Sequence, residues 1–524
     1  MMSNNQGAGG TPVDVNRQTS QLEDRRSLGG DYSPEECARR LNCIYIAEAS
    51  LLRSLAGWVV RCPELDMKIE LGRQVAFAAE RADALLRRVS QLLWPEEREV
   101  FLHPAWAALL DEANSRPQST VGLLAGWGGV VLPRLLSAYD QYVSATDAIS
   151  DAPTIRLIQH VRPDVAQLAS WMQARLDALL EAAPTAVEEA TDQQTHLQAL
   201  WQDAHAAGGL TAAGDEDQGI SGQSVLKHQR EQLTDGVARD DRFRDMRPGE
   251  SPPPEPLDQP EGRLAYLMRT LNFELFACEM MGRNLYEYGG IMPWQFTLDM
   301  ARQCWDEARH AEMMVKRLEL LGQLDTAGSE PYPLDNGPWH DIYPGGLFQR
   351  LVAMNRGIEG LALDAHVHRA GSFAEVGDVV GAGTHIFIVA DEAPHVGFGN
   401  RWLRYLLRQE SDPNQDDLAL IPFFPVMGQQ FAPQEDSDPE LAAAEQEAWE
   451  AIAERRAARL HAAGIEDFAL GLPDAAGDKL GPGVLGVRRG FPVNLLARRL
   501  AGFTPADTRE ALEAAEGRIA VQDK

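Results

Sequence analysis

Apolar residues recur at alternating three- and four-residue steps over two long blocks, 31–204 and 261–410, and the stretch between them has no such period. That spacing is the mark of amphipathic helices. In the first block, Ser33-Pro34-Glu35-Glu36 supplies an N-cap, a proline at the first helical position and a capping-box glutamate. A helix is predicted from there to about Val60. Pro63 opens a second, through Met67, Leu71 and Leu85 to about Leu93. After a connection punctuated by Gly and Pro (94–133), two more helices are predicted over roughly 134–149 and 153–180.

The second block carries four stripes, and each is broken in the same way. Leu264, Leu267, Leu271, Glu274, Cys278, Met281 and Leu285 form the first. Met300, Cys304, Glu307, Ala311, Met314 and Leu318 form the second, opened by Pro293 with Gly322 as its expected stop. Phe348, Val352, Asn355, Glu359, Ala362 and His366 mark the third, and Ile388, Glu392, His395, Gly399, Trp402 and Leu406 the fourth. A glutamate interrupts every stripe where the helix should be most buried. A carboxylate there costs several kcal/mol unless a partner compensates it. Each is therefore a candidate ligand, whereas Glu279, off the stripe, is expected to be solvated.

The fold class predicted is all-α, with two four-helix bundles in tandem. Residues 1–30, rich in Gly, Asn, Ser and Gln, read as a disordered tail. Residues 205–260, with Ser251-Pro252-Pro253-Pro254, read as a linker or strap, and 411–524 as a mixed helix and loop extension that would cover the site or make a dimer contact.

Composition narrows the partners. The net charge is −30 over 524 residues, and a surface this acidic repels phosphate backbones and anionic lipid. Neither nucleic acid nor a membrane is an expected partner. No apolar run approaches the roughly 18 residues of a membrane span, and the polar start does not read as a secretory signal. The five cysteines are scattered, without a Cys-x-x-Cys pair, so a reducing cytoplasm is expected.

The chemistry lies in the spacing of the interruptions. Glu274 precedes Glu307-Ala-Arg-His310 and Glu359 precedes Glu392-Ala-Pro-His395, and 307 − 274 and 392 − 359 are both 33. In Glu-x-x-His the two side chains share a helix face. Four carboxylates and two imidazoles in this order suit two metal ions in a bundle core. Such an oxygen-rich set favours iron or manganese over tetrahedral zinc.

Residues 261–410 resemble the ferritin-like diiron-carboxylate superfamily, and Asp306-Glu307-Ala308-Arg309-His310 is similar to the Asp/Glu-Glu-x-Arg-His motif of its oxygen-activating branch. The second copy, Asp391-Glu392-Ala393-Pro394-His395, departs from it by placing Pro where Arg is usual. The stretch 252–321 further resembles a bacterial ferritin-like family of unknown function in which a Pro-rich strap precedes the first ligand helix. The resemblance implies Glu274, Glu307, His310, Glu359, Glu392 and His395 as metal ligands and catalytic centre, with Glu307 and Glu392 bridging. It implies Asp306 and Asp391 as residues that orient the imidazoles, and Arg309 as their support. The activity implied is an oxygen-dependent diiron oxidation of a small organic substrate, by hydroxylation, N-oxygenation or desaturation, fed by an external electron donor. A ferroxidase or peroxide-scavenging iron protein is the alternative, and a non-catalytic protein with a structural metal pair a third.

Three further expectations follow from the residues. Pro394, followed by Gly397 and Gly399, predicts a distorted fourth helix that opens one side of the site. The first block reads as a metal-free copy of the second, with Glu48 and Glu80-Arg-Ala-Asp83 mimicking Glu274 and Glu307-x-x-His310 at an interval of 32, since 80 − 48 is 32. Val161 and Asp164 there replace Glu392 and His395, and Val143 replaces Glu359. His366, His368 and His385 stand as candidates for a further ligand or a proton shuttle, or as ordinary core and surface histidines.

Overall fold

The structure is a computed structural model; it describes residues 29–407 apart from 95–98, 207, 212–218, 228–232, 234–235, 240, 246–255, 322–331 and 335–341. The predicted C-terminal extension, Gly322 and all but the last two residues of the predicted tail lie outside the described residues.

The described chain is mostly helical, as the periodicity requires. Helix α1 (Pro34–Arg61) starts where Ser33 Oγ accepts from the Glu36 N–H at 3.2 Å, and α2 (Leu65–Gln91) folds back along it through a three-residue turn. The first half continues with α3 (Pro104–Ser115), α4 (Thr120–Ala145), α5 (Ala152–Ala182) and α6 (Val187–Ala206). After the short α7 (Gly222–Lys227), the second half repeats a long hairpin with α8 (Pro260–Tyr288) and α9 (Trp294–Leu320). It ends with α10 (347–375) and α11 (Val379–Leu407).

The two hairpins pack on each other through small residues. A Cβ on Gly282 of α8 would lie 2.7 Å from the Ala56 carbonyl oxygen of α1, and one on Gly72 of α2 would lie 2.6 Å from the Ala308 Cβ of α9. Only glycine permits crossings this close. One apolar cluster accordingly runs from Cys37 in α1 to Leu403 in α11, with Leu71, Cys278, Cys304 and Met300 in it. The strap is pinned to this body by two short ladders. β1 (Phe101–Leu102) pairs antiparallel with β2 (Ile220–Ser221), and β3 (Phe243–Asp245) pairs parallel with β4 (Tyr332–Leu334).

Several expectations are corrected. The connection predicted over 94–133 contains α3 and the first half of α4, because Gly126, Gly128 and Gly129 sit in a wide π-helical segment (Leu124–Val131) where neighbours crowd. A Cβ on Gly128 would lie 2.7 Å from the Met172 Cβ of α5. Among the described residues two helices, α1 and α4, are long and apolar enough to cross a membrane, where none was expected from the sequence. The apolar windows of both are mostly buried, all of it in α1, which is what a core helix packed on several sides requires. Glu279 is fully buried rather than solvated: α8 packs on α1, and Glu279 bonds Lys68, which reaches over from α2, and, through both oxygens, Arg239 of the strap.

In the first half, Arg81 rather than Glu80 faces Glu48. Glu80 is exposed, while Arg81 donates from Nε and Nη2 to the Glu48 carboxylate at 3.0–3.2 Å. The interval is 33 residues, as in the second half. Tyr139 of α4, not Val143, brings the third helix to this point, donating its hydroxyl to Glu48 at 2.9 Å. Arg81 and Glu48 are both buried, so one cation and one anion occupy the middle of this half.

Candidate metal centre

Four helices of the second half each bring one mid-helix glutamate to a common point. Glu274 comes from α8, Glu307 from α9 and Glu392 from α11. Glu359 is the first residue after a second π-helical segment, Leu351–Ile358, in α10. All four are buried, as are His310 and His395. Their donor atoms form two overlapping groups, Glu274, Glu307, His310 and Glu392, and Glu307, Glu359, Glu392 and His395, each with its ligand atoms within 4.8 Å of one another. Glu307 and Glu392 belong to both. The six residues singled out in the sequence are thus brought together, and the set is compatible with holding metal.

Each imidazole turns Nδ1 to the carboxylates. For His310 the distances are 3.3 Å to Glu274, 3.2 Å to Glu307 and 3.5 Å to Glu392. For His395 they are 2.9 Å to Glu392, 3.2 Å to Glu307 and 4.0 Å to Glu359. The Nε2 atoms point outward to aspartates, and they do so crosswise. His310 of α9 meets Asp391 of α11 at 3.2 Å, while His395 of α11 meets Asp306 of α9 at 3.3 Å. Arg309 Nη2 bonds both aspartates at 2.7 Å, and Arg302 Nε bonds Asp306 at 2.8 Å. An Nε2–H held on an aspartate leaves the Nδ1 lone pair facing inward, the arrangement by which a carboxylate fixes the tautomer of a metal-binding histidine.

The electrostatics fit a site short of positive charge. Burial pushes the Glu274 carboxyl up to about 8, partly offset by His310. Burial, with Glu392 and Glu307 close by, holds Glu359 protonated well above the usual carboxylate range. Burial also opposes ionisation of Glu307, but His395 and His310 outweigh it and hold this carboxyl well below its ordinary value. The imidazoles resist burial in turn: Asp391 with Glu274 raises His310, and Glu307 with Glu392 raises His395, both well above normal. Glu274, Glu359 and the two imidazoles thus retain protons that cations would displace.

Two residues of this site, Gln303 and Arg302, had no signal in the sequence, and a third, Asn355, only a faint one. Gln303 Nε2 donates to Glu307 at 3.2 Å and to Glu359 at 2.8 Å, linking the two halves of the donor set. Asn355, inside the π segment, donates to Gln303 Oε1 at 2.6 Å and to the His395 carbonyl at 3.3 Å. The trace of Asn355 was its place as a polar interruption four residues before Glu359.

The irregular turn also falls elsewhere than expected. Helix α11 runs unbroken through Pro394, and the distortion lies in α10. Gly399 serves close packing, since a Cβ there would lie 2.3 Å from the Asn355 Cβ. His366 and His385 are buried and paired, Nδ1 to Nδ1 at 2.8 Å, while His368 is exposed. Each of the pair stands seven residues from Glu359 or Glu392, and neither belongs to the two donor groups.

Neither the curated proteins nor the solved structures searched return a match to the chain. A family model described as "Protein of unknown function (DUF455)" matches residues 185–464, which span the strap, α8 to α11 and the donor set. With more than half of the 524 residues covered, the chain belongs to this DUF455 family.

Proposed function

We propose that the chain is an oxygen-dependent diiron oxidoreductase acting on a small organic substrate. The observation that carries this is the pair of overlapping donor groups sharing Glu307 and Glu392. Glu274 and His310 would complete one metal position and Glu359 and His395 the other. Iron suits the oxygen-rich set best, and manganese next. When bound there, a reduced iron pair would supply electrons and open coordination positions for dioxygen, and the reaction would need an external electron donor.

The chain's own residues prepare that chemistry. Asp306 and Asp391 hold the two imidazoles in one tautomer, and Arg302 and Arg309 hold the aspartates. Gln303, locked by Asn355, fixes the orientation of Glu307 and Glu359. Apolar neighbours such as Leu271, Met314 and Ile388 keep water from the donor set. Hydroxylation, N-oxygenation and desaturation are the reactions such a site would run on a hydrogen-bearing substrate.

We infer also that the architecture is two ferritin-like four-helix bundles, the first without metal. Supporting this, 274 − 48 and 307 − 81 are both 226, so Glu48 and Arg81 stand in the register of Glu274 and Glu307. The π segments begin 227 apart, at Leu124 and Leu351, and the mid-helix prolines, Pro163 and Pro394, are 231 apart. The guanidinium of Arg81 would supply there the positive charge that a metal supplies in the other half.

The test is anaerobic loading with ferrous iron, followed by metal analysis and oxygen uptake. Two irons per chain, and oxygen consumption that rises with an organic substrate, are expected. Failure of Glu307→Ala and His395→Ala to lower iron content would overturn the ligand assignment. Oxidation of many iron equivalents per chain without substrate would favour the ferroxidase alternative instead.

A further inference from the structure

Between the two halves lies a cavity of about 180 Å³, walled by α1, α7 and the turn joining α8 to α9. Arg53 of α1 lines it and is buried. Its Nε donates to the Tyr286 carbonyl at 2.8 Å, and its Nη1 to the Leu226 carbonyl. Among the described residues its Nη2 has no hydrogen-bond partner, and no carboxylate lies within ion-pair reach. Burial therefore pulls its pKa below the usual arginine value, with only Tyr286 acting against it. A guanidinium taken out of water without an anion is an expensive arrangement, and backbone carbonyls compensate it only in part.

We propose that this cavity binds a small organic monocarboxylate with an apolar body about the size of a phenyl ring, its carboxylate seated on Arg53. The walls suit such a body: Leu52, Leu226, Leu285 and Met292 surround the arginine end. The volume suits it as well, since an apolar cavity of about 150 Å³ accommodates benzene. The far end fixes the direction of binding. Glu99 sits there, accepting from Ser221 Oγ at 2.7 Å and from the Gln223 N–H at 3.3 Å, and its charge would repel a carboxylate from that end. A carboxylate at the other end would take the Nη2 donors of Arg53, the ones not already given to the Tyr286 and Leu226 carbonyls, in a charge-assisted hydrogen bond.

This site is separate from the donor set. Thr297, in the cavity wall, precedes Glu307 on the same helix by ten residues, about 15 Å at 1.5 Å per residue. Its occupancy does not depend on the metal reading, and the test reads it alone. Benzoate, benzylamine and benzyl alcohol are titrated into the full chain and followed by calorimetry and by fluorine NMR with 4-fluorobenzoate. Saturable benzoate binding is expected, with benzylamine and benzyl alcohol at least about tenfold weaker. Arg53→Met is expected to weaken benzoate about tenfold or more. Because Arg53 also ties two carbonyls, Ala49→Leu supplies a variant that fills the cavity and keeps the charge, and it should abolish benzoate binding in a chain with unchanged circular dichroism. Benzylamine binding as tightly as benzoate, unchanged benzoate affinity in either variant, or no saturable binding at millimolar benzoate would each overturn the proposal.

Discussion

Arg81→Met removes the cation from the middle of the first half and leaves its partner stranded. Glu48 is fully buried, and Arg81 is 2% exposed. Without the guanidinium, the carboxylate retains, among the described residues, only the Tyr139 hydroxyl. Breaking a buried pair by removing one member costs about 3–5 kcal/mol. Replacing both, as Glu48→Leu with Arg81→Met, removes the stranded charge, a change that in such pairs is neutral or stabilising by about 1–4 kcal/mol. The Tyr139 hydroxyl then loses its acceptor, at about 1–3 kcal/mol. The double variant should therefore fall close to the parent, and adding Tyr139→Phe should recover what remains. Urea unfolding followed by circular dichroism compares the parent with both single variants, the double and the triple, the first four closing a double-mutant cycle. A double variant as unstable as the sum of its singles would refute the reasoning, as would an Arg81→Met loss under about 1 kcal/mol.

Other outcomes follow from the same structure. Iron content should be unchanged in the Glu48 and Arg81 variants, since neither touches the donor set, and metal analysis checks this. Gly399→Ala forces a Cβ against Asn355, so a loss of about 1–3 kcal/mol is expected, seen as a lower urea midpoint, together with weaker iron retention. Lys68→Met leaves Glu279 with Arg239 alone and should destabilise more than Lys316→Met, whose partner Glu319 lies at the surface where solvent screens the pair. Burial depresses His366 to about 3 and His385 to about 4, from 6.5. Their unfolded forms bind protons first, so stability is full above about pH 6.5 and falls as pH drops toward 4. Replacing both by Phe should flatten that limb of the unfolding curve; an unchanged slope would assign it to other groups.

The donor residues were legible because a glutamate in an apolar stripe contradicts its surroundings, and the contradiction recurs at one interval. Helix positions were legible for the same periodic reason, with α1, α2, α5 and α9 starting or stopping within a few residues of the positions their caps, prolines and periodicity mark. What escaped shares a different cause. The partners of Glu279 lie far off in sequence, Lys68 being 211 residues away, and a stripe on one helix says nothing of what covers its other face. Gln303 is a neutral amide whose importance appears only when α10 brings Asn355 to it. Gly126 to Gly129 imitate a loop in composition, and only the crowding of α5 and α6 explains why a wide helical turn needs them. Glu80 drew attention as an acid, although the buried face of α2 belongs to its neighbour Arg81.

The crosswise aspartates bear on how the site would fill. His310 depends on Asp391 of the opposite helix, and His395 on Asp306 of the other. An ion held by His310 would therefore also steady α11 against α9, along with the Glu392 and His395 that would hold a second ion. Loading would then be cooperative, with singly occupied chains scarce at half-saturating iron, and damage to either aspartate would empty both positions together.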